Sequence, residues 1–184
     1  MSTNQNKIIN FSYKLDDIYI KLGFYVSFLF LVVVVIGFFE VVSRYVFDAP
    51  TLWVHETTTF FISLSLLYGG VACYASENHI AMLFIRQQFS NKRQWQLKLL
   101  VEVLTLTFFI MLSYGSFISA KEAFFTPFGT FKMQTSGTYI DMPFPAISKA
   151  FLLLTCLMML VSIVLHIYRH LCTPHGEKHN KEAV

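Results

Sequence analysis

Charged residues are scarce in this chain of 184 residues. Asp, Glu, Lys and Arg together make up 14%, whereas a typical soluble domain has about 25%. Residues of the apolar set AVILMFWYC make up 55%, and phenylalanine alone occurs 20 times. One globule of this length cannot enclose that much apolar surface. The composition excludes a disordered chain and a soluble nucleic-acid-binding domain, and it indicates that much of the surface faces lipid.

Cysteines are also few, and the motifs of common enzyme sites are missing. The three cysteines, Cys73, Cys156 and Cys172, form no CxxC pair, which excludes a small secreted disulfide scaffold. Cys73 and Cys156 lie in apolar runs, where a thiol is a small hydrophobe. The patterns GxxxxGK[ST], GxGxxG, GxSxG and HExxH do not occur. We therefore expect no enzyme active site, no metal site and no cofactor in this chain.

Four long apolar runs are present, at residues 22–43, 57–74, 97–118 and 147–165. A bilayer core about 30 Å thick requires about 20 helical residues, so each run predicts a transmembrane helix. The first run starts too late and is too long for a cleaved signal peptide. The expected fold is all-α, an integral membrane protein with one four-helix transmembrane domain at residues 22–165.

The segment before the first run, residues 1–21, has the pattern of an amphipathic helix. Its apolar positions recur every three or four residues, at Ile8, Phe11, Leu15, Ile18 and Leu22. Charged residues occupy other positions of this cytoplasmic tail. The pattern predicts a helix that lies in the membrane interface, and a frayed polar tail is the alternative.

The last segment, residues 166–184, predicts a polar cytoplasmic tail. It contains two pairs of histidines four residues apart, His166 with His170 and His175 with His179. That spacing on a helix can hold a metal ion, but Pro174 and Gly176 interrupt the series. A solvated tail is the interpretation we adopt.

Lys and Arg residues are distributed unevenly between the loops. Ten of the 14 lie in the two terminal segments and in the loop between the second and third runs. Because cytoplasmic loops carry the excess of positive charge, we expect both termini in the cytoplasm. The loops at about 44–56 and 119–146 should then face the opposite side.

The ionisable residues inside the apolar runs lie near the ends of the runs. Glu40 and Arg44 are four residues apart and share a helix face, which predicts an ion pair at the end of the first helix. Trp53 fits an interfacial aromatic belt, and Glu56 suits the N-terminus of the second helix. We also expect Glu56 to be able to reach Arg44 across the hairpin. The alternative is that Glu40 is a coupling-ion or substrate carboxylate.

The second predicted helix carries small residues, and a polar loop follows it. Gly69 and Gly70, with neighbouring alanines, would let another helix of this chain or of a partner approach closely. His79 follows in the loop, where a hydrogen bond is the ordinary role and a metal or haem ligand the alternative. Arg86 is a candidate contact for lipid headgroups.

Three stretches of the chain share the pattern of one transporter family. They are residues 43–50 (SRYVFDAP) followed by Trp53 and Glu56, the pair Gly69-Gly70 followed by ENHI at 77–80, and residues 135–145. On these stretches, and over about residues 10–170, the chain resembles the small membrane (Q) subunit of tripartite ATP-independent periplasmic (TRAP) transporters. It departs from the family at Thr57, where a second acidic residue is common.

The resemblance implies a non-catalytic subunit that is a scaffold in the bacterial inner membrane. In that family a large multi-span membrane (M) subunit carries the substrate and sodium ions. A periplasmic substrate-binding protein captures the substrate, an organic acid of the sialic acid or C4-dicarboxylate type. Both proteins and phospholipids are the expected partners. The expected structural or subunit-interface residues are Arg44, Trp53, Glu56, Glu40, Gly69, Gly70 and His79.

Two other functions compete with this interpretation. A self-sufficient small transporter would use Glu40 as its coupling carboxylate. A haem-bearing membrane anchor would need two histidines on facing helices at similar depth, and only His166 lies near the end of a predicted span.

Overall fold

The computed structural model describes residues 3–76, 91–125, 130–138 and 141–172. The described residues form four helices, α1 (Thr3–Val46), α2 (Trp53–Ala75), α3 (Asn91–Phe124) and α4 (Phe144–Cys172). Each helix is long and apolar enough to cross a membrane. The predicted all-α fold with four membrane-spanning helices is confirmed.

The predicted interfacial helix and the first predicted transmembrane helix are one continuous element. Helix α1 has 44 residues and is therefore about 66 Å long, more than twice the thickness of the hydrocarbon core. It contains no proline, so no residue forces a break in its hydrogen bonding. The expected boundary near residue 22 marks a change in hydropathy and not in secondary structure.

Helix α4 also extends beyond its predicted end at residue 165 and reaches Cys172. His166 and Arg169, which the sequence analysis assigned to a solvated tail, lie in this helix and are buried. The helical period explains the difference, because His166 and Arg169 lie four and seven positions after the buried Ser162 and so return to the same inward side.

Helix α4 is the centre of the arrangement. It packs against α1, α2 and α3, and α1 also packs against α2, whereas α3 packs only against α4 among the described helices. The core lies where α1, α2 and α4 meet. It consists of Tyr19, Val71, Tyr74, Ala75, Met159 and Ile163.

The outer surface is much larger and more apolar than that of a soluble protein. The accessible surface is 13066 Å², whereas a soluble monomer of this mass has about 9,100 Å². The most apolar stretch of α1 is 0% buried, and that of α3 is 6% buried. These faces require lipid or another membrane protein around them.

The antiparallel helices have two distinct ends. At one end lie residues 47–52 and the described residues of 125–143, and we call this the loop end. At the other end the start of α1 lies beside the last turns of α4, and Trp95 of α3 stacks on His170 of α4. We call this the terminal end.

Candidate functional site

Glu40 is the centre of a polar cluster at the loop end. One carboxylate oxygen, Oε1, lies 3.1 Å from Arg44 Nη2, so the predicted ion pair is confirmed. The other oxygen, Oε2, accepts hydrogen bonds from the Thr51 backbone N–H, at 3.2 Å, and from the Thr51 hydroxyl. Because both oxygens are engaged, Glu40 closes the loop onto α1.

The loop between α1 and α2 is stabilised by a second set of bonds around Asp48. The Ser43 hydroxyl donates to the Ala49 carbonyl at 2.7 Å, and the Ala49 N–H donates to the Ser43 carbonyl at 3.0 Å. Asp48 has φ of 51°, a left-handed conformation that Asp tolerates at the end of a helix. The turn predicted by Asp48 and Pro50 therefore follows α1 directly.

Trp53 and Glu56 both lie at the start of α2, but they face different neighbours. The Trp53 ring lies 6.2 Å from the ring of Phe39 on α1, measured between centroids. Glu56 Oε1 accepts a hydrogen bond from the Thr138 hydroxyl. The expected contact between Glu56 and Arg44 is wrong, because Arg44 is bound to Glu40 and Glu56 instead ties α2 to the second loop of the loop end.

The second loop of the loop end folds back along the last turn of α3. The Lys132 N–H donates to the Phe124 carbonyl at 3.1 Å, and the Gln134 N–H donates to the Ala123 carbonyl at 2.8 Å. The Gln134 side chain in turn accepts from Lys149 of α4 at 2.6 Å. Together with the bond from Thr138 to Glu56, these contacts join α2, α3 and α4 through one loop.

A cavity of about 380 Å³ lies between this loop and the N-terminal halves of α2 and α4. Its lining surface is mainly apolar and includes the stacked rings of Phe60 and Phe144, with several serine and threonine residues beside them. Glu56 also lines it, but the Glu56 Oε2 atom is enclosed by protein. The cavity therefore has no free carboxylate oxygen from Glu56 to offer a ligand.

Of the small residues expected to pack on α2, the alanines contact other described helices of this chain and the glycine pair does not. A Cβ atom at Gly69 or Gly70 would have nothing within 4 Å, and both residues are exposed. The close approach is between Gly23 of α1 and Ala72 of α2, because a Cβ at Gly23 would lie 2.6 Å from Ala72 Cβ. Within the described residues, the glycine pair leaves an open face on α2.

A buried ionic cluster occupies the terminal end, and sequence reasoning missed it. Arg169 Nη1 of α4 lies 3.1 Å from Asp16 Oδ2 of α1. His166 Nε2 lies 3.2 and 3.3 Å from the two oxygens of the same carboxylate. All three residues are buried, with 5–7% of their surface exposed.

The geometry of the cluster defines which atom of His166 carries a proton. A carboxylate can only accept hydrogen bonds, so His166 Nε2 must bear the hydrogen that faces Asp16. Arg169 Nη2 lies 3.4 Å from that nitrogen. Because both nitrogens then carry hydrogens and neither can accept, this contact is not a hydrogen bond. Asp16 is thus the shared acceptor for both residues of α4.

Aromatic rings surround the cluster. The Tyr13 ring lies 4.6 Å from the Arg169 guanidinium carbon, in a cation–π contact. The Tyr74 ring of α2 lies 5.0 Å from the His166 ring. One turn further into the protein, the Tyr68 hydroxyl donates to the Tyr19 carbonyl at 3.4 Å. The cluster therefore binds the first turns of α1 to both α2 and α4.

The remaining predicted site residues can be placed only in part. His79 and Arg86 lie outside the described residues. Of the described histidines, His55 lies at the loop end, whereas His166 and His170 lie on the same helix α4 at the terminal end. These three histidines therefore do not provide the two facing helices at similar depth that a haem anchor requires. Among the residues that the structure describes, no three His, Cys, Asp or Glu side chains form a group that could hold a metal ion.

Comparison with known proteins adds one finding to this geometry. Residues 33–173 match the family described as "Tripartite ATP-independent periplasmic transporters, DctQ component". The match runs from the last third of α1 to the end of α4 and covers more than half of the chain. No curated protein matches the chain.

Proposed function

This chain belongs to the DctQ component family of TRAP transporters, and from that membership we propose that it is a scaffold for the large transport subunit. As a member it is a small, multi-pass membrane component of a transporter and not an enzyme. Such a system associates it with a large DctM subunit and a substrate-binding protein. We further propose that the large subunit couples sodium ions to uptake of an organic acid of the sialic acid or C4-dicarboxylate type.

A scaffold role is supported by two carboxylate side chains of α1, which bond to other residues of this chain. Glu40 and Asp16 are engaged by neighbouring residues at the two ends of α1, and the residues between positions 22 and 39 include no Asp, Glu, Lys, Arg or His. Charged groups thus position the helices, and no charged group of α1 lies midway across its apolar stretch. A fixed frame with apolar outer faces suits packing against another membrane protein.

The orientation we propose follows the distribution of Lys and Arg. The terminal end faces the cytoplasm of a bacterium, and the loop end faces the periplasm, across the inner membrane. The cluster of Glu40, Arg44 and Thr51 is then on the side where the substrate-binding protein acts. Arg44 keeps 46% of its side-chain surface exposed while it pairs with Glu40, so its guanidinium can contact a partner there.

Purification of the tagged chain from its native membranes in mild detergent, followed by mass spectrometry, tests the scaffold role. We expect a DctM-type subunit in stoichiometric amount. An unrelated tagged membrane protein purified in the same way is the control for detergent carry-over. A chain that is recovered alone, or only as its own oligomer, would contradict the proposal.

Reconstitution separates a scaffold from a self-sufficient transporter. In liposomes that contain this chain alone, we expect no uptake of sialic acid or C4-dicarboxylates under a sodium gradient. Uptake should require the large subunit and the binding protein as well. Uptake by the chain alone would show that the transport path lies in this chain and that the scaffold role is wrong.

A further inference from the structure

We propose that the first turns of α1 form a binding surface for anionic phospholipids. The surface consists of a lysine stripe, Lys7, Lys14 and Lys21, beside an apolar stripe that contains Phe11 and Ile18. This region precedes residue 33, where the family match begins. The proposal depends on α1 lying in a bilayer and does not depend on the scaffold role.

The rotation of α1 about its axis is fixed by its buried side. Ser12, Asp16 and Tyr19 are buried at relative exposures of 2%, 7% and 8%. Asp16 is held by Arg169 and His166, and Tyr19 belongs to the core. With this side turned inward, the remaining sides of the helix must face outward.

The lysine stripe is one of the outward sides. Its residues recur every seven positions and therefore lie on one side of the helix, about 10.5 Å apart along the axis. All three are exposed, and none forms an ion pair with a described residue. Asp17 is also exposed on these turns. The three lysines and this aspartate together give the exposed side of the segment a net charge of +2.

The apolar stripe lies next to the lysine stripe. Phe11 is 58% exposed and Ile18 is 42% exposed. The stripe continues at the same interval of seven residues through Tyr25, Val32 and Phe39, all of which are exposed. The outward apolar surface of the first turns therefore continues into the face of α1 that lies in the membrane.

The adjacency of the two stripes points to lipid as the occupant. Lys7 is four residues before Phe11, and Lys14 is four residues before Ile18, so each ammonium group lies beside an apolar side chain. Lysines can extend from such a face to the headgroup region while their stems cover apolar surface. In an anionic phospholipid, the phosphate group can pair with the ammonium groups and the acyl chains can contact the apolar side chains.

Fluorescence quenching by brominated lipids tests the surface directly. The full chain with Phe11→Trp is reconstituted in phosphatidylcholine that contains brominated phosphatidylcholine or brominated phosphatidylglycerol. The parent chain contains Trp53 and Trp95, and its fluorescence quenching is measured separately. Subtracting that value from the quenching of the variant gives the contribution of the tryptophan at position 11. We expect both brominated lipids to quench this signal, and the phosphatidylglycerol to quench it at a lower mole fraction.

The preference for the anionic lipid should come from the lysine stripe. Each lysine at a membrane surface is worth about a fivefold change in affinity, so replacing all three by glutamine should remove most of the preference. The matched control replaces three lysines of the loop end, Lys121, Lys132 and Lys149, and should keep the preference. High salt should also weaken it.

Three results would overturn the proposal. Equal quenching by the two brominated lipids would remove the anionic specificity. A preference that survives replacement of the lysine stripe would assign it to other groups. Absence of quenching by either lipid, with helix content by circular dichroism unchanged, would show that protein or water covers this face.

Discussion

Arg169 and Asp16 form a buried ion pair of 3.1 Å across 153 residues of sequence. Two further ion pairs, Arg44 with Glu40 and Lys98 with Glu102, each lie four residues apart within one helix. The pair of Arg169 and Asp16, in contrast, joins two helices. It ties the first turns of α1 to the last turns of α4.

Removing the carboxylate of Asp16 should strongly destabilise the chain. Asp16→Ala leaves Arg169 buried without its counter-charge, which typically costs about 3–5 kcal/mol. Thermal unfolding in detergent, followed by circular dichroism, measures the loss. Asp17→Ala is the matched control because Asp17 is adjacent and exposed. Equal effects of the two substitutions would contradict the assigned role of the pair.

Where Gly23 of α1 meets Ala72 of α2, there should be room for a methyl group on one helix but not on both. A methyl group at Gly23 would lie 2.6 Å from Ala72 Cβ, so Gly23→Ala should destabilise the pairing of α1 and α2. Elsewhere in a helix the same change stabilises by up to about 1 kcal/mol. Gly37→Ala, at an open position on α1, is the control and should not destabilise. Ala72→Gly should rescue Gly23→Ala, and a failure to rescue would show that the two methyl groups do not clash.

Glu40 and Arg44 should differ in their effect on the stability of the chain. Glu40→Ala removes the acceptor of both Thr51 hydrogen bonds and should cost about 1–3 kcal/mol. Arg44 is half-exposed, and Glu40 is its one partner among the residues that the structure describes. Arg44→Ala should therefore cost about 0.5 kcal/mol. Unfolding of the chain alone measures both values.

The effect of Arg44→Ala on the assembled transporter is a separate prediction. We expect a lower yield of the complex or slower transport, with unchanged affinity of the soluble binding protein for its substrate. Since Arg44→Ala leaves the chain folded, such a loss would place the guanidinium at a contact with a partner. Full assembly and full activity of this variant would show that Arg44 has no role at an interface.

The hydrogen bond from Thr138 to Glu56 should hold the second loop of the loop end in place. Thr138→Val keeps the size of the side chain but removes the donor, which should weaken the loop by about 1 kcal/mol. Hydrogen exchange of the amides near Gln134 should become faster. Thr135→Val, at an exposed neighbouring threonine, is the control. If both variants exchange alike, the bond does not hold the loop.

Several features of the fold follow from the sequence alone because their causes are local. The bilayer requires runs of about 20 apolar residues, so hydropathy is sufficient to find four membrane-spanning helices. The pair of Glu40 and Arg44 follows from the spacing of a single helix. The motif around Arg44, Trp53 and Glu56 also pointed to the correct transporter family.

One signal of the buried side of α1 is present in the sequence and was not used. Ser12, Tyr19, Val26, Val33 and Glu40 recur at intervals of seven residues, the spacing of helices that wind around each other. The structure places Ser12, Tyr19 and Glu40 of this series in buried positions and the two valines in half-buried positions. The usual rule places apolar residues on the inward side of a helix and polar residues on the outward side. This series does not stand out under that rule, because its first and last members, Ser12 and Glu40, are polar.

Only the tertiary structure decided which residues meet across helices. The partners of Asp16, Gly23 and Glu56 lie on elements distant in sequence, and no local period encodes which helices are neighbours. In lipid the outer face is apolar, so the inward side of α1 is free to carry Ser12 and Asp16 while Phe11 faces outward. The sequence by itself determined that the chain crosses a membrane four times. The tertiary structure determined that polar contacts at both ends, buried at the terminal end, hold those helices together. Such contacts require two elements at a fixed distance and rotation.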